Sequence, residues 1–375
     1  MTEREALIAM NRIQGLGAVT VKRLAERFGS LVAVFGCSES DLLAVPGIGE
    51  EKARLFVREL SRATGDEEMG QAARRGVKLV TWADEEYPPL LKQIADPPLV
   101  LYVAGSVAAL SRPAVALIGT RHPSVYGCET ARRLGFQLAA AGYAVVSGLA
   151  LGIDTEAHTG ALQAKCSTVA VLGGALDCLF PKENQALARE IARNGGAVVS
   201  EYPFGRQPDR QTFPMRNRIV SGLSKGVVVV EAPLNSGTMI TVGQALDQNR
   251  TVMAVPGRVD SPVAQGCHRL IREGARLVTN ADEVVEELQD LFLGQRQAGA
   301  AAASGGEARR AEPPLSPEER AALAQVGDDD TAIDDVVRGS GLDAGRVGAL
   351  LVGLQIKRLV RLLPGGRVAR ASSGR

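Results

Sequence analysis

The sequence predicts an α/β protein built on a doubly wound, mainly parallel sheet. Two observations carry that expectation. Between about 77 and 285, short Val- and Ala-rich runs recur: VKLV (77–80), LVLYV (99–103), AVALI (114–118), AVVS (144–147), TVAVL (168–172), AVVS (197–200), VVVVE (227–231), VMAV (252–255) and RLVT (276–279). Near-continuous apolar runs of this kind suit strands covered on both faces, and their alternation with helical stretches indicates parallel pairing. The second observation is that several runs close in small-residue turns: Gly119-Thr120-Arg121, Ser147-Gly148 through Gly152-Ile153-Asp154, and Ser236-Gly237-Thr238. A strand that ends this way and passes into a helix offers free backbone N–H groups and a positive dipole end, which together hold phosphates. In open α/β sheets, ligands sit outside the carboxyl ends of the strands, where these turns lie.

Residues 1–70 read as helical and carry an internal repeat. Ile13-Gln14-Gly15-Leu16-Gly17 precedes VKRLAERF, and Val45-Pro46-Gly47-Ile48-Gly49 precedes EEKARLFVREL. Each is a tight glycine turn between helices followed by Lys or Arg, and the pair resembles a tandem helix-hairpin-helix module. Such a module either grips DNA backbone or serves as a protein-contact bundle. The sheet core is expected over 75–290. Residues 294–315 (GQRQAGAAAASGGEARRAEPPL) form a low-complexity linker too poor in large apolar residues to fold alone. After it, 316–370 reads as three helices and a basic hairpin around Pro364-Gly365-Gly366, and resembles a winged helix. Its expected second helix, Asp343 to Ile356, carries Arg346 as its one basic residue. Because major-groove readers need donors and cations there, protein contact is the expected role.

With 375 residues, the chain exceeds one ordinary domain. A net charge of +1 excludes a globally basic nucleic-acid coat but permits a local basic groove. No apolar run reaches the ~20 residues of a membrane span. The start, MTEREALIAM, lacks signal-peptide organisation, so a cytoplasmic location is expected. Cys37, Cys128, Cys166, Cys178 and Cys267 form no CxxC pair, which argues against zinc and a disulfide scaffold.

The chemistry of the turns narrows the ligand. After Gly119 the next glycine is Gly127, so the dinucleotide fingerprint GxGxxG is missing, and no GxxxxGK[ST] loop exists. No cofactor is therefore expected. Arg121 is instead a bidentate phosphate donor beside a close backbone approach. Lys182 and Asn184 lie in a loop leaving TVAVL, where Pro181 marks a helix start. Arg216 and Arg218 follow Pro214; two apart on a helix, at most one faces a given ligand. The stretch 202–218 interleaves Arg206 and Arg210 with Tyr202, Phe204 and Phe213, a mixture suited to single-stranded nucleic acid. Asp154 and His158 stand four apart on one helical face. An Asp N-cap and a buried, hydrogen-bonded His is the expected reading, ahead of a catalytic or metal pair.

GTRHPSVYG, SGLALGIDTEAH, VLGGALDCLFPKEN, SEYPFG, FPMRNRIVSGLS, EAPLNSGTMITVGQALDQNR, VMAVPG and GCHRLIREGA together resemble the DNA-processing protein A (DprA/Smf) family over roughly 75–285. The resemblance implies an extended Rossmann-like core that binds single-stranded DNA, dimerises, and loads the RecA recombinase in natural transformation without catalysis. The resemblance implies a DNA-contacting role for Arg121 and Lys182, and with the turns and loops read above the expected DNA-binding set is Gly119, Thr120, Arg121, Ser147, Gly148, Lys182, Asn184, Arg216, Arg218, Ser236, Gly237 and Thr238. Phe180 stands where the family loop usually carries Tyr, keeping the ring and losing the hydroxyl. The rival expectation is a nucleotide phosphoribohydrolase of the "lonely guy" or lysine-decarboxylase-like group, which shares the Ser-Gly-Thr turn. That chemistry needs a carboxylate at the reacting centre, and here the acidic position reads Ile240 or Thr241. Glu201 and Glu231 are the carboxylates left to substitute for it.

Overall fold

A computed structural model describes residues 1–289 and, beyond them, 316–327, 331–344, 346–347, 350–351, 354, 359–363 and 367–370. The linker expected over 294–315 and the turn at Pro364-Gly365-Gly366 lie outside the described residues. The chain forms two compact units, Met1–Ala298 and Gly299–Arg375.

The first unit opens with five helices, α1 (Glu3–Asn11), α2 (Ala18–Phe28), α3 (Glu39–Leu43), α4 (Glu50–Leu60) and α5 (Asp66–Arg75). Thr2 and Ser38 start α1 and α3 with capping boxes, each hydroxyl accepting the N3 amide while Glu5 or Asp41 reaches back. Gly17 and Gly49, the last glycines of the duplicated turns, occupy the N-cap positions of α2 and α4. The two turns meet different surroundings. The first borders a cavity shared with Asp96, Glu201, Tyr202 and Arg218, whereas at the second Arg23 donates to the Pro46 carbonyl at 2.7 Å. Leu7, Met10, Val21, Leu24, Leu42 and Phe56 make a core that continues onto Val100 and Tyr102 of the sheet.

Nine strands follow: β1 (Lys78–Thr81), β2 (Val100–Gly105), β3 (Ala114–Ile118), β4 (Ala144–Ser147), β5 (Thr168–Val171), β6 (Ala197–Ser200), β7 (Gly226–Val229), β8 (Thr251–Ala254) and β9 (Arg276–Leu277). They pair in the order β1-β2-β6-β5-β4-β3-β7-β8-β9. From β6 to β9 every pairing is parallel, while β2 pairs antiparallel with both β6 and β1. Each apolar run named above became a strand, and the mainly parallel α/β class holds.

Both faces of the sheet are covered, as the unbroken runs require. Val115, Leu117 and Val145 point to one side, packed by Leu134 and Leu138 of α7 (Val125–Ala140) and Ala157 and Ala161 of α8 (Ile153–Gln163). Ala116, Ile118 and Val146 point to the other, packed by Ile219 and Val220 of α10 (Thr212–Gly222) and Val242 of α11 (Thr238–Asp247). The alternation follows the period-2 geometry of a strand, and each large aliphatic chain so buried contributes about 1.5–3 kcal/mol. The unit also contains α6 (Pro89–Lys92), α9 (Gln185–Arg193) and α12 (Gln265–Arg272).

The second unit contains helices Pro317–Ala324 and Ile333–Ser340 and a sheet ordered β10 (Thr331–Ala332), β12 (Arg367–Arg370), β11 (Val360–Leu363). Ala322, Val336, Val347, Leu351, Leu354 and Val368 form its core. The winged-helix expectation holds. Arg346, the one cation expected on a second helix over Asp343–Ile356, follows two helices rather than one and pairs with Glu318 at 2.8 Å.

Candidate functional site

The strand order decides where the loops meet. From β3 the chain steps outward through β4 and β5 to β6, then returns to the other flank of β3 with β7. A crevice forms at such a reversal, outside the carboxyl ends of the strands. Here it is a cleft of about 420 Å³ lined by Gly119, Thr120 and Arg121 after β3, Gly148 and Asp154 after β4, Phe213, Arg216 and Asn217 of α10, and Ser236, Gly237 and Thr238 at the head of α11.

Its floor is charged. Arg216 is 5% exposed and donates through one guanidinium nitrogen to the carbonyls of Gly148 and Val171. Burial pushes Arg216 down from 12.5 to about 10, so it remains a cation at neutral pH. The fit is close: a Cβ on Gly148 would collide with the Arg216 guanidinium. Asp154, also buried, accepts the amides of Gly148 at 3.0 Å and Ala150 at 3.3 Å. Burial raises its pKa and the Arg216 charge opposes that rise.

The rim supplies two exposed cations, the exposed Phe180 ring and the half-buried Phe213 ring. Arg121 lies over the Phe213 ring at 5.5 Å, and Phe213 meets Phe180 at 5.9 Å between centroids. Two residues after Phe180, the exposed Lys182 begins a 3-10 turn, Lys182–Asn184. Neither Arg121 nor Lys182 has an acidic partner among the described residues. The Arg121–Phe213 contact across distant segments is what sequence reasoning missed; the aromatic residues interleaved in 202–218 were its only signal.

Several expected site residues are committed inside the protein instead. Ser147 is fully buried, and its hydroxyl donates to the Leu117 carbonyl at 2.7 Å, tying β4 to β3. Asn184 is 5% exposed and donates to the Leu149 carbonyl and the Thr155 hydroxyl, both at 2.9 Å, which pins the turn after β4. The Gly148 amide, expected free for phosphate, is taken by Asp154. Arg218 points away from the cleft and pairs with Glu201 at 2.6 Å and Asp96 at 3.1 Å. One helical turn cannot present positions 216 and 218 together, so only Arg216 faces the cleft.

Asp154 does not cap α8; Gly152 holds that position. His158 is buried and hydrogen-bonded as expected. Its Nδ1 lies 2.8 Å from the Thr168 hydroxyl, which itself donates to the Val145 carbonyl, so Nδ1 carries the proton. Burial, aided by the Arg216 charge, pushes His158 down from 6.5 to about 3. A histidine held neutral in the fold but free to protonate when unfolded contributes stability in full above about pH 6.5. That stability is lost as pH falls toward 3, at about 1.4 kcal/mol per pH unit. Thermal unfolding of His158→Leu between pH 7 and 4 should therefore show a shallower decline than the parent protein. Parallel declines would contradict this assignment.

The carboxylates considered for hydrolysis are likewise occupied. Glu201 holds Arg218, and Glu231 accepts the Ser124 amide at 2.8 Å and hydroxyl at 2.6 Å at the start of α7. Among the described residues, no group of three His, Cys, Asp or Glu side chains could hold a metal ion. Nor is any helix of the described residues long and apolar enough to cross a membrane.

Comparison with known proteins gives a consistent result. The family model described as DNA recombination-mediator protein A matches residues 78–289. A DprA winged helix domain model matches 306–366, and a SAM-like helix-hairpin-helix tandem model matches 7–62. Protein Smf of Synechocystis is 33% identical over 98% of this chain and 99% of its own length. Protein Smf of Escherichia coli is 40% identical over 76% of each chain. Among solved structures, DNA processing protein A of Streptococcus pneumoniae is 32% identical with a TM-score of 0.65, covering 76% of this chain and 98% of that one. The corresponding Helicobacter pylori protein is also 32% identical, with a TM-score of 0.51 over 57% of this chain and 96% of that one.

Proposed function

The chain belongs to the DNA recombination-mediator protein A family, and from that premise we propose that its cleft binds single-stranded DNA without cutting it. The observation that carries this reading is the rim: Arg121 stacked on Phe213, Phe213 against Phe180, and Lys182 two residues beyond. Cations that lack acidic partners meet phosphates, and exposed rings meet unstacked bases, which a duplex keeps out of reach. The buried Arg216 adds an electrostatic floor without needing direct contact. DNA processing protein A from Helicobacter pylori binds single-stranded DNA, which supports the same ligand here.

The binding set is thereby reduced to Arg121, Lys182, the backbone at Gly119, Ser236 and Gly237, and Thr238 at the helix start; the Thr120 amide, like that of Gly148, is taken within the protein, here by the Glu231 carbonyl at 2.7 Å. Ser147, Gly148, Asn184 and Arg216 shape the cleft, and Arg218 anchors the loop behind it. Within this reading the protein delivers the strand to RecA in natural transformation, dimerises through its sheet core, and uses its C-terminal unit for protein contact. The phosphoribohydrolase reading loses ground because Asp154, Glu201 and Glu231 are all occupied by protein donors.

The test pairs two assays on the full chain. It should bind oligo-dT well ahead of a duplex of equal length, and adenine should not be released from AMP. Clear turnover of AMP, or equal preference for duplex, would overturn the proposal.

A further inference from the structure

The segment 201–206, which leads into α10, is held from the helical module, and that contact has no part in the cleft itself. Glu68 of α5 is 2% exposed. One of its carboxylate oxygens accepts the Phe204 amide at 2.9 Å, and the other lies 3.6 Å from the Arg12 guanidinium. The Phe204 ring stands edge-on to Tyr102 at 5.3 Å, and Arg75 covers it at 4.7 Å. Asn11 donates to the Glu201 carbonyl at 3.1 Å. Thus α1 and α5 grip one short segment of the core through its backbone and the half-buried Phe204 ring.

That segment is connected to both cation-bearing loops. The Arg206 carbonyl accepts the Ala175 amide at 2.9 Å, and the Gly205 amide donates to Asp177 at 2.9 Å. Asp177 also pairs with Arg75 at 3.5 Å. The 174–178 stretch runs directly into Phe180 and Lys182, while 207–211 runs directly into Phe213 and Arg216. A buried carboxylate is expensive to desolvate, and it persists where its hydrogen bonds are made in full. Removing it leaves the partly buried Phe204 amide without its acceptor.

We propose that Glu68 is a positioning residue: through Phe204 it sets the spacing of the Phe180–Lys182 loop and the start of α10, so the helical module controls the cleft's grip on DNA. This rests on the single-strand reading above. A partner seated on the helical module would tune DNA affinity by the same route.

The variants Glu68→Ala, Glu68→Gln and Arg75→Ala in the full chain test it. Glutamine keeps an acceptor for the Phe204 amide, so Glu68→Gln should bind oligo-dT within about threefold of the parent, whereas Glu68→Ala should lose about 10-fold or more. Because no phosphate contact is removed, the salt dependence of binding should stay unchanged in both, unlike that of Arg121→Ala. Hydrogen exchange should quicken at 201–211 and 177–184 in Glu68→Ala while amides of β3 and β4 keep their protection. Arg75→Ala loosens the same segment from its exposed side and should give a smaller loss with the same unchanged slope. Parent-like affinity and exchange in Glu68→Ala would overturn the proposal, as would loss of protection throughout the sheet, which marks a general folding role. If the parent protein failed to bind oligo-dT, the single-strand reading would fall, and the exchange pattern would still judge the clamp.

Discussion

Replacing Arg121 and Lys182 together by alanine is expected to weaken oligo-dT binding by about 2–6 kcal/mol, roughly 30-fold to 20,000-fold. Each lost charge-assisted contact accounts for about 1–3 kcal/mol. The two side chains lie on different loops and share no hydrogen-bond partner among the described residues, so their effects should add. Both are exposed and neither supports the core, so the unfolding midpoint should hardly move. Fluorescence anisotropy of a labelled oligonucleotide reads the first quantity and a thermal melt the second. Affinity within threefold of the parent would remove Arg121 and Lys182 from the site.

The largest stability effect should come from Gly160→Ala. Helices α7 and α8 cross closely through Gly135 and Gly160, and a Cβ on Gly160 would collide with the Arg132 carbonyl and the Phe136 amide of α7. Backbone cannot turn aside as a side chain can, so the helices must separate over Leu134 and Ala157. A cost of about 3 kcal/mol is expected, lowering the midpoint of this large unit by about 5 °C. Gly243→Ala supplies the control. That glycine lies in α11 with nothing within 4 Å of an added Cβ, and alanine there should be neutral or stabilising by about 0.5–1 kcal/mol. Equal behaviour of the two variants would mean the helix crossing is not limiting.

Much of the fold was legible because its signal is local. A strand buried on both faces must be apolar throughout, and every such run between 77 and 279 became a strand. The cleft's location was legible for the same reason, since turns after parallel strands gather at one edge. Strand direction was not: LVLYV reads like its neighbours, yet β2 runs antiparallel to β6, a fact fixed only by pairing.

Side-chain commitments were less legible still. Arg218 resembled a second phosphate donor, but Asp96 neutralises it from 122 positions away. Ser147 and Asn184 looked like cleft residues because short polar side chains at strand ends serve equally well as ligands or as ties. Their acceptors, the carbonyls of Leu117 and Leu149, have no sequence signature. The missing side chain at Gly148 makes room for the Arg216 guanidinium, a contact with no local sequence signal. Arg121 and Lys182 stand apart because, among the described residues, neither pairs with an acid.

In the proposed cleft these two cations meet phosphates directly. The measurement that tests it is the salt dependence of oligo-dT affinity for the parent, Arg121→Ala and Lys182→Ala. Each substitution should flatten the slope of log affinity against log salt by about 0.7, the value for one single-strand phosphate contact. Slopes identical to the parent's in both variants would contradict it.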